Sequence, residues 1–498
     1  MPFSHGPTPG STNRRPTRRV PLPPPADIPP TPPLKTGVRP GDAGHRARRM
    51  AQTPPTSEAR PRPPVPTLFR VALAPIQAFF RLEAASGILL ALCAVAAMVW
   101  ANSPWAATYS AVFDARMTVG LAGVHAGFTI REFINDGLMT LFFFVVGMEI
   151  KRELSSGELR TFSRAVLPLI AAMGGMIVPA ALYAAFNQGT PAQAGWAIPM
   201  ATDIAFSIGC LTLVKTRVSH GLVVFLTALA IFDDIGGILV IALFYGSGLH
   251  VSWLVGALGV LAVLACLNHF QVRNGVAYAL AGAALWYTMH HGGIHATLSG
   301  VVLGLFMPAR PLRPGRHVLE ELRLYVDRAL QTAMDEATRG AQILYLEERL
   351  EELEPPLNRF VHLWHVPVAY GIVPLFALAN SGISLEGMGW ADLLRPLPLG
   401  IIAGLFVGKQ VGIFLFTWGS LKLGVADRPG GATLPQLHGV AVVAGIGFTV
   451  ALFVAGLAFP TQPELLTEAK LGILVGSLLS AVVGYALLRF VAKPAVPA

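Results

Sequence analysis

Residues 195–206 read G-W-A-I-P-M-A-T-D-I-A-F, and they lie inside a longer apolar run, residues 196–214. A run of this length can cross the hydrocarbon core of a bilayer, which needs roughly 20 apolar residues. Pro199 interrupts the run just before Thr202 and Asp203, and a charge at the centre of a membrane helix costs roughly 2.5–3.5 kcal/mol. The pattern predicts a discontinuous membrane helix that faces a cavity or a bundle interior.

Apolar runs of similar length follow one another from about residue 84 onward. The predicted spans are residues 84–101, 133–150, 165–186, 196–214, 221–245, 252–268, 275–290, 294–308, 366–380, 397–418, 438–459 and 471–489. Of the 498 residues, 53% are hydrophobic and only 13% are charged, whereas about 25% are charged in a soluble domain. We therefore predict an all-α integral membrane protein with about 12 transmembrane helices and both termini on one side.

The basic residues fall mainly on one set of loops. That set holds Arg14 to Arg62, Lys151, Arg152, Arg160, Arg164, Lys215, Arg217, Arg273, Arg310, Arg313, Arg316, Lys422, Arg428 and Lys493. The opposite loops hold mainly Arg116, Arg131, Arg395 and Lys470. By the positive-inside rule the first set is cytoplasmic, which predicts cytoplasmic termini. The net charge of +9 is therefore attributed to this pattern and not to nucleic-acid binding.

The two ends of the chain differ in composition from the rest. Residues 1–66 are rich in Pro and Arg and poor in large apolar residues, so we predict a disordered cytoplasmic tail. Alternatively, translation starts later, for example at Met50. Residues 67–490 then form the transmembrane domain, and residues 491–498 form a short C-terminal tail.

Two segments within the transmembrane domain are not predicted to cross the membrane. Residues 114–131 carry glycine-spaced β-type residues, which predict a small β-hairpin on the extracytoplasmic face. Residues 309–356 are predicted to be a cytoplasmic helical insertion, with an amphipathic helix at 317–354. We interpret that helix mainly as a solvated connector.

Ionisable residues inside the predicted spans carry most of the functional argument. Asp233 and Asp234 are adjacent in L-A-I-F-D-D-I-G-G, Lys409 lies in G-L-F-V-G-K-Q-V-G, and Asp136 lies early in the second span. A buried Asp–Lys pair that merely joins two helices is one explanation. However, Asp203 and the adjacent pair together supply three carboxylates against one ammonium group. The two remaining negative charges favour a bound cation or protons.

Adjacent residues point about 100° apart on a helix, so Asp233 and Asp234 can face different surroundings. Two close carboxylates in a dry interior titrate as a coupled pair. Thr202 adds a hydroxyl and a carbonyl oxygen, and a hard cation such as Na⁺ prefers oxygen ligands. The carboxylates can hold protons or a metal ion but not both at once, and this competition is enough to couple two opposing fluxes.

A second predicted span, residues 438–459, is interrupted by Gly445, Ile446 and Gly447. Together with the break at Pro199, it matches the inverted repeats with two discontinuous helices that are typical of transporters. Half-helix ends leave amide and carbonyl groups unpaired at mid-membrane. Asp203 is expected to neutralise the N-terminal ends, and Lys409 is expected to lie near the C-terminal ends.

At these residues the chain resembles the NhaA family of sodium/proton antiporters, from about residue 81 to 490 outside the 309–356 insertion. The matching stretches are F-I-N-D-G-L-M at 133–139, V-G-M-E-I-K-R-E-L at 146–154, G-G-M-I-V-P-A at 174–180, G-W-A-I-P-M-A-T-D-I-A-F at 195–206, D-D-I-G at 233–236, I-H-A-T-L-S-G at 294–300, P-L-F-A-L-A-N-S-G at 374–382, G-I-G-F-T at 445–449 and A-K-L-G-I-L-V-G-S at 469–477. Any one of them is weak, but in this order they are highly specific.

The resemblance implies a secondary transporter of the bacterial inner membrane and not an enzyme. It implies electrogenic export of Na⁺ or Li⁺ in exchange for more protons, controlled by cytoplasmic pH and without a cofactor. Asp233 and Asp234 would be the ion- and proton-binding pair, with Thr202 as a neighbouring Na⁺ ligand. Asp203 and Lys409 would compensate the ends of two crossed half-helix pairs, and Lys409 would also pair with Asp233.

The resemblance also implies residues for the pH response. Asp136 would lie along the ion route, and Glu149, Arg152 and Glu153 would line a cytoplasmic pH-responsive funnel. His295, in I-H-A-T-L, would modulate that response, although a lone His at a span end is more often a satisfied polar residue.

Two further implications concern the dimer and a departure from the family pattern. The hairpin at 114–131 would be the homodimer contact. Family members often carry a glutamate in the segment that here reads R-F-V-H-L-W-H-V-P, where Val361 stands instead. Part of the pH sensing would then pass to Glu354 or to the acidic helix before it.

Other classes of protein explain fewer of these residues. An intramembrane aspartyl protease also needs two mid-membrane aspartates, but its Y-D and G-x-G-D motifs are missing and Lys409 would have no role. A cation channel or a sodium-coupled solute symporter fits better, although no site for an organic substrate is evident.

Overall fold

The computed structural model describes residues 85–121, 124–214, 217–246, 248–309, 320, 323–324, 327 and 355–491. The predictions for the tail at 1–66, the start at Met50 and the C-terminal tail beyond Val491 concern residues outside these ranges, and nearly all of the helix predicted at 317–354 also lies outside them. They therefore stay predictions. The described part is a bundle of helices with one small hairpin, so the all-α prediction with a β-hairpin is confirmed in its coarse form.

Fifteen helices longer than a single turn are numbered here along the described residues. They are α1 Ala85–Ala101, α2 Ala106–Phe113, α3 Ile130–Ser155, α4 Phe162–Asn187, the 3₁₀ helix α5 Pro191–Met200, α6 Ile204–Leu213, α7 His220–Phe244, α8 Val251–His269, α9 Gly275–His291, α10 Leu298–Phe306, α11 Pro356–Asn380, α12 Pro396–Lys422, α13 Leu434–Val443, α14 Phe448–Ala458 and α15 Pro463–Phe490. Short 3₁₀ turns lie at Glu158–Arg160, Trp390–Leu394 and Pro429–Gly431.

Every predicted span has a helix at its position, but not every helix is long enough to cross a membrane. Seven helices in the described residues have the required length and apolar character, and the number rises to 10 if each of three bent pairs is one span. The weak cases are α9 with 17 residues and α10 with 9, because a crossing needs roughly 20. The count of twelve crossings stays a prediction.

A glycine turn explains why the predicted span at 294–308 is shortened at its start. Gly293 has a φ of 81°, a left-handed conformation that favours glycine. It ends α9, and the Ile294 N–H donates to the Met289 carbonyl at 3.1 Å, which closes a Schellman motif. Regular helix resumes only at Leu298.

The bundle is held together by helices that approach closely at glycines. α4 and α12 cross at Gly174 and Gly412, where a Cβ added to either residue would collide with the carbonyl oxygen of the other. α3 and α10 pack in the same way through Gly147, Gly300 and Gly304. These crossings bring α4 and α12 together at the centre, where the buried residues 441–449 of the second broken helix also lie.

The predicted hairpin is present. β1 Arg116–Leu121 pairs antiparallel with β2 Val124–Thr129, and Arg116 lies opposite Thr129. α3 begins directly after it with a capping box, because the Thr129 N–H donates to Glu132 Oε2 at 2.7 Å and the Glu132 N–H donates to Thr129 Oγ1 at 3.1 Å.

Four long helices contain a wider π-helical segment that the sequence pattern did not predict. These segments are Phe133–Leu138 in α3, Val368–Ile372 in α11, Ala403–Gly408 in α12 and Leu487–Val491 at the end of α15. Such segments often mark functional sites. Here Asp136 lies inside the first segment, and Lys409 directly follows the third.

Candidate functional site

The two broken helices meet at their breaks. α5 and α6 are bent by 45° around residues 201–203, and α13 and α14 are bent by 45° around residues 444–447. The Asp203 N–H donates to the Ile446 carbonyl at 2.7 Å, so the two breaks are in direct contact. Glycine permits this approach, because a Cβ on Gly447 would lie 3.0 Å from the Ala201 carbonyl.

Asp203 joins the N-terminal ends of two half-helices. Its Oδ1 accepts a hydrogen bond from the Phe206 N–H of α6 at 2.9 Å. Its Oδ2 accepts from the Thr449 N–H of α14 at 3.1 Å and from the Thr449 hydroxyl at 2.6 Å. Helix N-termini carry partial positive charge, so one buried carboxylate meets both. The geometry fits the compensating charge expected of Asp203.

The carbonyl groups at the C-terminal ends of the other two half-helices, α5 and α13, accept hydrogen bonds from different side chains. Lys409 Nζ donates to the Met200 carbonyl at the end of α5. At the end of α13, the Thr202 hydroxyl donates to the Ala444 carbonyl at 3.0 Å, and the Ser207 hydroxyl donates to the Val443 carbonyl at 3.2 Å. Lys409 was expected near the C-terminal ends in general, and its hydrogen bond among the described residues goes to that of α5.

Lys409 also forms a fully buried ion pair. Its Nζ lies 2.8 Å from Asp233 Oδ2, and neither side chain is exposed. The Thr202 hydroxyl lies 2.8 Å from the same carboxylate oxygen. Asp233 Oδ1 is buried and has no hydrogen-bond partner among the described residues. Asp233 Oδ2 is therefore paired with Lys409 and lies beside the Thr202 hydroxyl, whose single proton can serve either this oxygen or the Ala444 carbonyl.

Asp234 faces a different environment from its neighbour. It lines a cavity of about 350 Å³ that also reaches Thr202, Asp203 and Thr449, whereas Asp233 does not line it. A smaller void of about 20 Å³ touches both aspartates, which is room for about one water molecule. The two carboxylates thus share a small space, and only Asp234 also faces the larger cavity.

The 350 Å³ cavity extends along α3 away from the aspartates. Glu149, Arg152 and Glu153, the residues for which the resemblance implies a funnel, line it, and so does His365 of α11. His365 Nδ1 lies 3.8 Å from Glu149 Oε1. These side chains belong to the same continuous space as Asp234.

His365 was not singled out from the sequence. Its signal was the segment R-F-V-H-L-W-H-V-P, where the missing glutamate drew attention to Val361. That valine is buried in the apolar core at 2% exposure. The titratable partner for Glu149 stands four residues later.

Asp136 and His295 lie in another cavity. It measures about 510 Å³ and is also lined by Asn135, Asn380 and Lys470. The His295 Nε2 donates to the Tyr245 carbonyl at 2.6 Å, which ties it to the end of α7. Because Asp136 lies thirteen residues before Glu149 on α3, the two carboxylates are about 20 Å apart along the helix axis. The five residues expected to serve the pH response therefore divide between two cavities.

Aromatic side chains lie between the two cavities. Phe376 and Phe453 line the cavity of Asp136, and Phe143 lines the void beside the aspartate pair. The Phe143 and Phe453 ring centroids are 5.2 Å apart, and those of Phe376 and Phe453 are 6.5 Å apart. Asp234 thus faces one large cavity, and packed rings lie between the aspartate pair and the other cavity.

Two residues at the start of α14 were missed from the sequence. Thr449 was seen only as the last letter of G-I-G-F-T, and its N–H and hydroxyl both donate to Asp203. Ser477 of α15 accepts a hydrogen bond from the Phe448 N–H at 3.1 Å, and its partner is distant in sequence. Both stabilise the N-terminal end of α14.

The arrangement can hold a hard cation or protons. Asp233 and Asp234 both line the small void, and the Thr202 hydroxyl lies 2.8 Å from Asp233 Oδ2; oxygen donors of this kind suit a hard cation. The same oxygens can instead accept protons, so that the cation and the protons compete for one site.

Comparison with known proteins gives a consistent result. The family model described as Na⁺/H⁺ antiporter 1 matches residues 77–488. The Na(+)/H(+) antiporter NhaA of Anaeromyxobacter sp. (strain Fw109-5) is 57% identical over 422 residues, which cover 85% of this chain and 92% of that protein. The Na(+)/H(+) antiporter NhaA 2 of Pseudomonas syringae pv. syringae (strain B728a) is 45% identical over 420 residues, 84% of this chain and 95% of the relative.

Proposed function

The chain belongs to the Na⁺/H⁺ antiporter 1 family, and from that premise we propose an electrogenic exchange of Na⁺ or Li⁺ for a larger number of protons. Family membership makes it a Na⁺/H⁺ exchanger, a transporter and not an enzyme. Beyond Na⁺/H⁺ exchange itself, we propose the ratio of protons to Na⁺, the residues of the ion site and control of the exchange by pH. It also places the protein in the bacterial inner membrane with both termini in the cytoplasm.

The observation that carries the proposal is the charge count around Lys409. Three buried carboxylates, those of Asp203, Asp233 and Asp234, face one buried ammonium group. Asp203 is engaged by two helix N-termini and Asp233 by Lys409. Asp234 has no such partner among the described residues and lines the 350 Å³ cavity. Its charge therefore has to be balanced by a proton or by a cation from that cavity.

Exchange follows from competition at the same oxygens. Na⁺ binds the ionised Asp234 beside Asp233, since both residues line one small void, and the Thr202 hydroxyl is a neighbouring ligand. Protons that enter from the opposite side neutralise the pair and release the cation. Because both ions need the same carboxylates, neither can cross without displacing the other.

Alternating access requires a change at the aromatic layer. In this structure Asp234 faces the cavity of Glu149, and Phe143 packed on Phe453 lies toward the cavity of Asp136. We assign the Glu149 cavity to the cytoplasmic side, because basic loops adjoin it. Repacking of the rings would then give the site access to the other side.

The pH control is placed at the mouth of the Glu149 cavity. Glu149, Arg152, Glu153 and His365 combine acidic, basic and titratable groups there, and His365 faces Glu149 directly. A change in their charge would alter the field along the cavity and the supply of cations to Asp234. The hairpin Arg116–Thr129 is proposed as the homodimer contact.

Everted membrane vesicles test the exchange. The vesicles are loaded with a pH-sensitive dye and energised, and NaCl is then added. We expect the chain to collapse the pH gradient and the Asp234→Asn variant to abolish this response. Asp427→Asn, on an exposed loop residue, is the matched control and should behave like wild type. Unchanged exchange in Asp234→Asn would reject the assigned site.

Electrogenicity is tested with the same protein in liposomes. If more protons than Na⁺ ions move, an imposed membrane potential should drive Na⁺ against its gradient. A Na⁺ flux that ignores the potential would contradict the proposed charge balance. A flux that continues without any counter-movement of protons would identify a channel instead.

A further inference from the structure

The carboxylate of Asp136 lines the 510 Å³ cavity, called the outer cavity here, without a contact of its own. It has neither a hydrogen bond nor an ion pair in the part of the chain that the structure describes. Glu132, the other acidic residue of this cavity, accepts a hydrogen bond from the Thr129 N–H in the capping box. The position of the Asp136 carboxylate is therefore set by contacts of its main chain.

The main chain of Asp136 is held by two donors. Asp136 lies in the π-helical segment Phe133–Leu138, and segments of this kind are rare and occur mostly at functional sites. The Asp136 carbonyl accepts a hydrogen bond from the Trp286 indole N–H at 3.4 Å and another from the Thr140 hydroxyl. Thr140 belongs to the same helix, whereas Trp286 belongs to α9. The indole is thus the donor that ties this peptide to a neighbouring helix.

A second neighbouring helix holds the residue before Asp136. Asn380 Nδ2 of α11 donates to Asn135 Oδ1 at 2.8 Å and to the Phe376 carbonyl at 3.0 Å. The π-helical segment is therefore fixed from α9 and from α11 at two consecutive residues. Neither contact uses the Asp136 carboxylate, which is left free to meet an ion in the outer cavity.

The Trp286 ring has a further contact that reaches the outer cavity. It stacks on the His290 ring with an interplanar angle of 3° and the centroids 5.3 Å apart, and His290 lines the outer cavity beside Asp136. Trp286 itself lines a different cavity, of about 560 Å³, together with Thr140. One ring therefore stands behind the Asp136 main chain and supports an imidazole that shares a cavity with the Asp136 carboxylate.

We propose that Trp286 is a positioning residue for ion transfer at the outer face, because its indole N–H fixes the Asp136 peptide and thereby aims the carboxylate at the passing Na⁺. The inference rests on the proposed function, in which the outer cavity is one of two routes to the aspartate pair. Without the N–H, the Asp136 carbonyl keeps only the donor from its own helix. The carboxylate then shifts in the outer cavity, whereas the Glu149 cavity, which Trp286 does not line, keeps its shape.

Removal of the N–H alone tests this role. Trp286 is replaced by benzothienylalanine through stop-codon suppression, because the sulfur analogue keeps the bicyclic ring but has no N–H to donate. Exchange of radioactive for unlabelled Na⁺ is measured in right-side-out vesicles, where the added ion enters at the outer face, and in everted vesicles, where it enters at the cytoplasmic face. We expect the KM for Na⁺ to rise about twofold to tenfold at the outer face, as for one lost hydrogen bond, and to stay unchanged at the cytoplasmic face.

Trp253 on the neighbouring helix α8 is the matched control. Its ring packs against Tyr287 and His291, but its indole N–H has no hydrogen-bond partner among the described residues. The same replacement at Trp253 should therefore change neither KM. If the suppressed proteins do not fold, Trp286→Phe and Trp253→Phe make the same comparison, since phenylalanine also keeps a ring without the N–H.

The wild-type chain separates this inference from the proposed function. If the wild type exchanges Na⁺ and the change at Trp286 alters neither KM, alters both equally or acts no more than the change at Trp253, the role of Trp286 is rejected and the proposed function stands. If the wild type exchanges no Na⁺ at all, the proposed function is rejected and the inference with it.

Discussion

Asp203 and Thr449 belong to different broken helices, and yet the Thr449 hydroxyl lies 2.6 Å from Asp203 Oδ2. The Thr449 N–H donates to the same oxygen. This pair links the two broken helices through a side chain, because Asp203 also accepts from the Phe206 N–H on its own helix. The energetics of the site can therefore be tested at Thr449 without changing a charge.

Replacing Thr449 with Val removes a hydroxyl donor from a buried carboxylate. Hydrogen bonds to charged groups contribute about 1.5–3 kcal/mol, so we expect the free energy of unfolding to fall by about that amount. Thr449→Ser should keep most of the stability. Unfolding of the purified protein by heat, followed by tryptophan fluorescence, measures the change. Thr467→Val, at an exposed hydroxyl on α15, is the control. An equal loss of unfolding free energy in this variant would show that the Thr449 hydroxyl contributes no more than an exposed one.

Lys409→Met leaves the carboxylate of Asp233 buried and without its ammonium partner. Breaking a buried ion pair from one side costs about 3–5 kcal/mol. The double variant Lys409→Met with Asp233→Asn removes both charges, and we expect it to be more stable than Lys409→Met alone. A double-mutant cycle on unfolding free energies measures this coupling. Additive effects of the two changes would show that the 2.8 Å contact contributes little.

Asp234→Asn and Asp233→Asn should differ in what they lose. Asp234 faces the cavity without a polar partner among the described residues, so its replacement should abolish Na⁺ binding while the melting temperature changes little. Asp233→Asn should lower both Na⁺ binding and the melting temperature, because Lys409 and Thr202 contact the Asp233 side chain. Binding of radioactive Na⁺ and thermal melting of the same preparations separate the two cases. Strong Na⁺ binding by Asp234→Asn would contradict the site.

His365 and Glu149 should act on the pH response as one unit. Since they face each other in one cavity, His365→Gln and Glu149→Gln should each move the pH midpoint of antiport. The double variant should move it no further than the larger single change. His220→Gln, at an exposed residue that starts α7, is the control. Antiport is measured in everted vesicles over a pH series, and two additive shifts would argue against a shared device.

Phe453→Leu should weaken the separation of the two cavities. The shorter side chain loses ring contact with Phe143 and Phe376, and we expect a measurable leak of Na⁺ without proton exchange. Liposomes loaded with Na⁺ and held at equal pH on both sides report this leak. Phe490→Leu, at a ring that is 79% exposed, should not leak. If liposomes with Phe453→Leu do not leak Na⁺, the barrier between the two cavities does not depend on the Phe453 ring.

Much of the architecture could be predicted because hydropathy and the cost of buried charge are local properties of the sequence. The helices at α4 and α7 begin and end within a few residues of the predicted spans. Four residues stood out because burying a charge in the membrane interior costs free energy: Asp203, Asp233, Asp234 and Lys409. The structure brings all four together. Pro199 and the glycines around Ile446 marked the two breaks correctly.

The remaining features depend on contacts between distant segments. The His365–Glu149 pair joins α3 to α11, and neither residue identifies the other in the sequence. The division of Asp136 and Glu149 between two cavities is set by Phe143 and Phe453, which read as ordinary apolar residues. The shortened α10 depends on the left-handed turn at Gly293, whose effect on the predicted span was underestimated because the apolar run continues through it.

The carboxylate of Asp203 has a consequence for motion. One side chain holds the beginnings of α6 and α14 at once, and sliding either helix away would expose a desolvated charge to a dry interior. These two half-helices must consequently travel as a single rigid body through the transport cycle. The movement that opens the aspartate site to one side of the membrane and closes it to the other must then come from the surrounding helices.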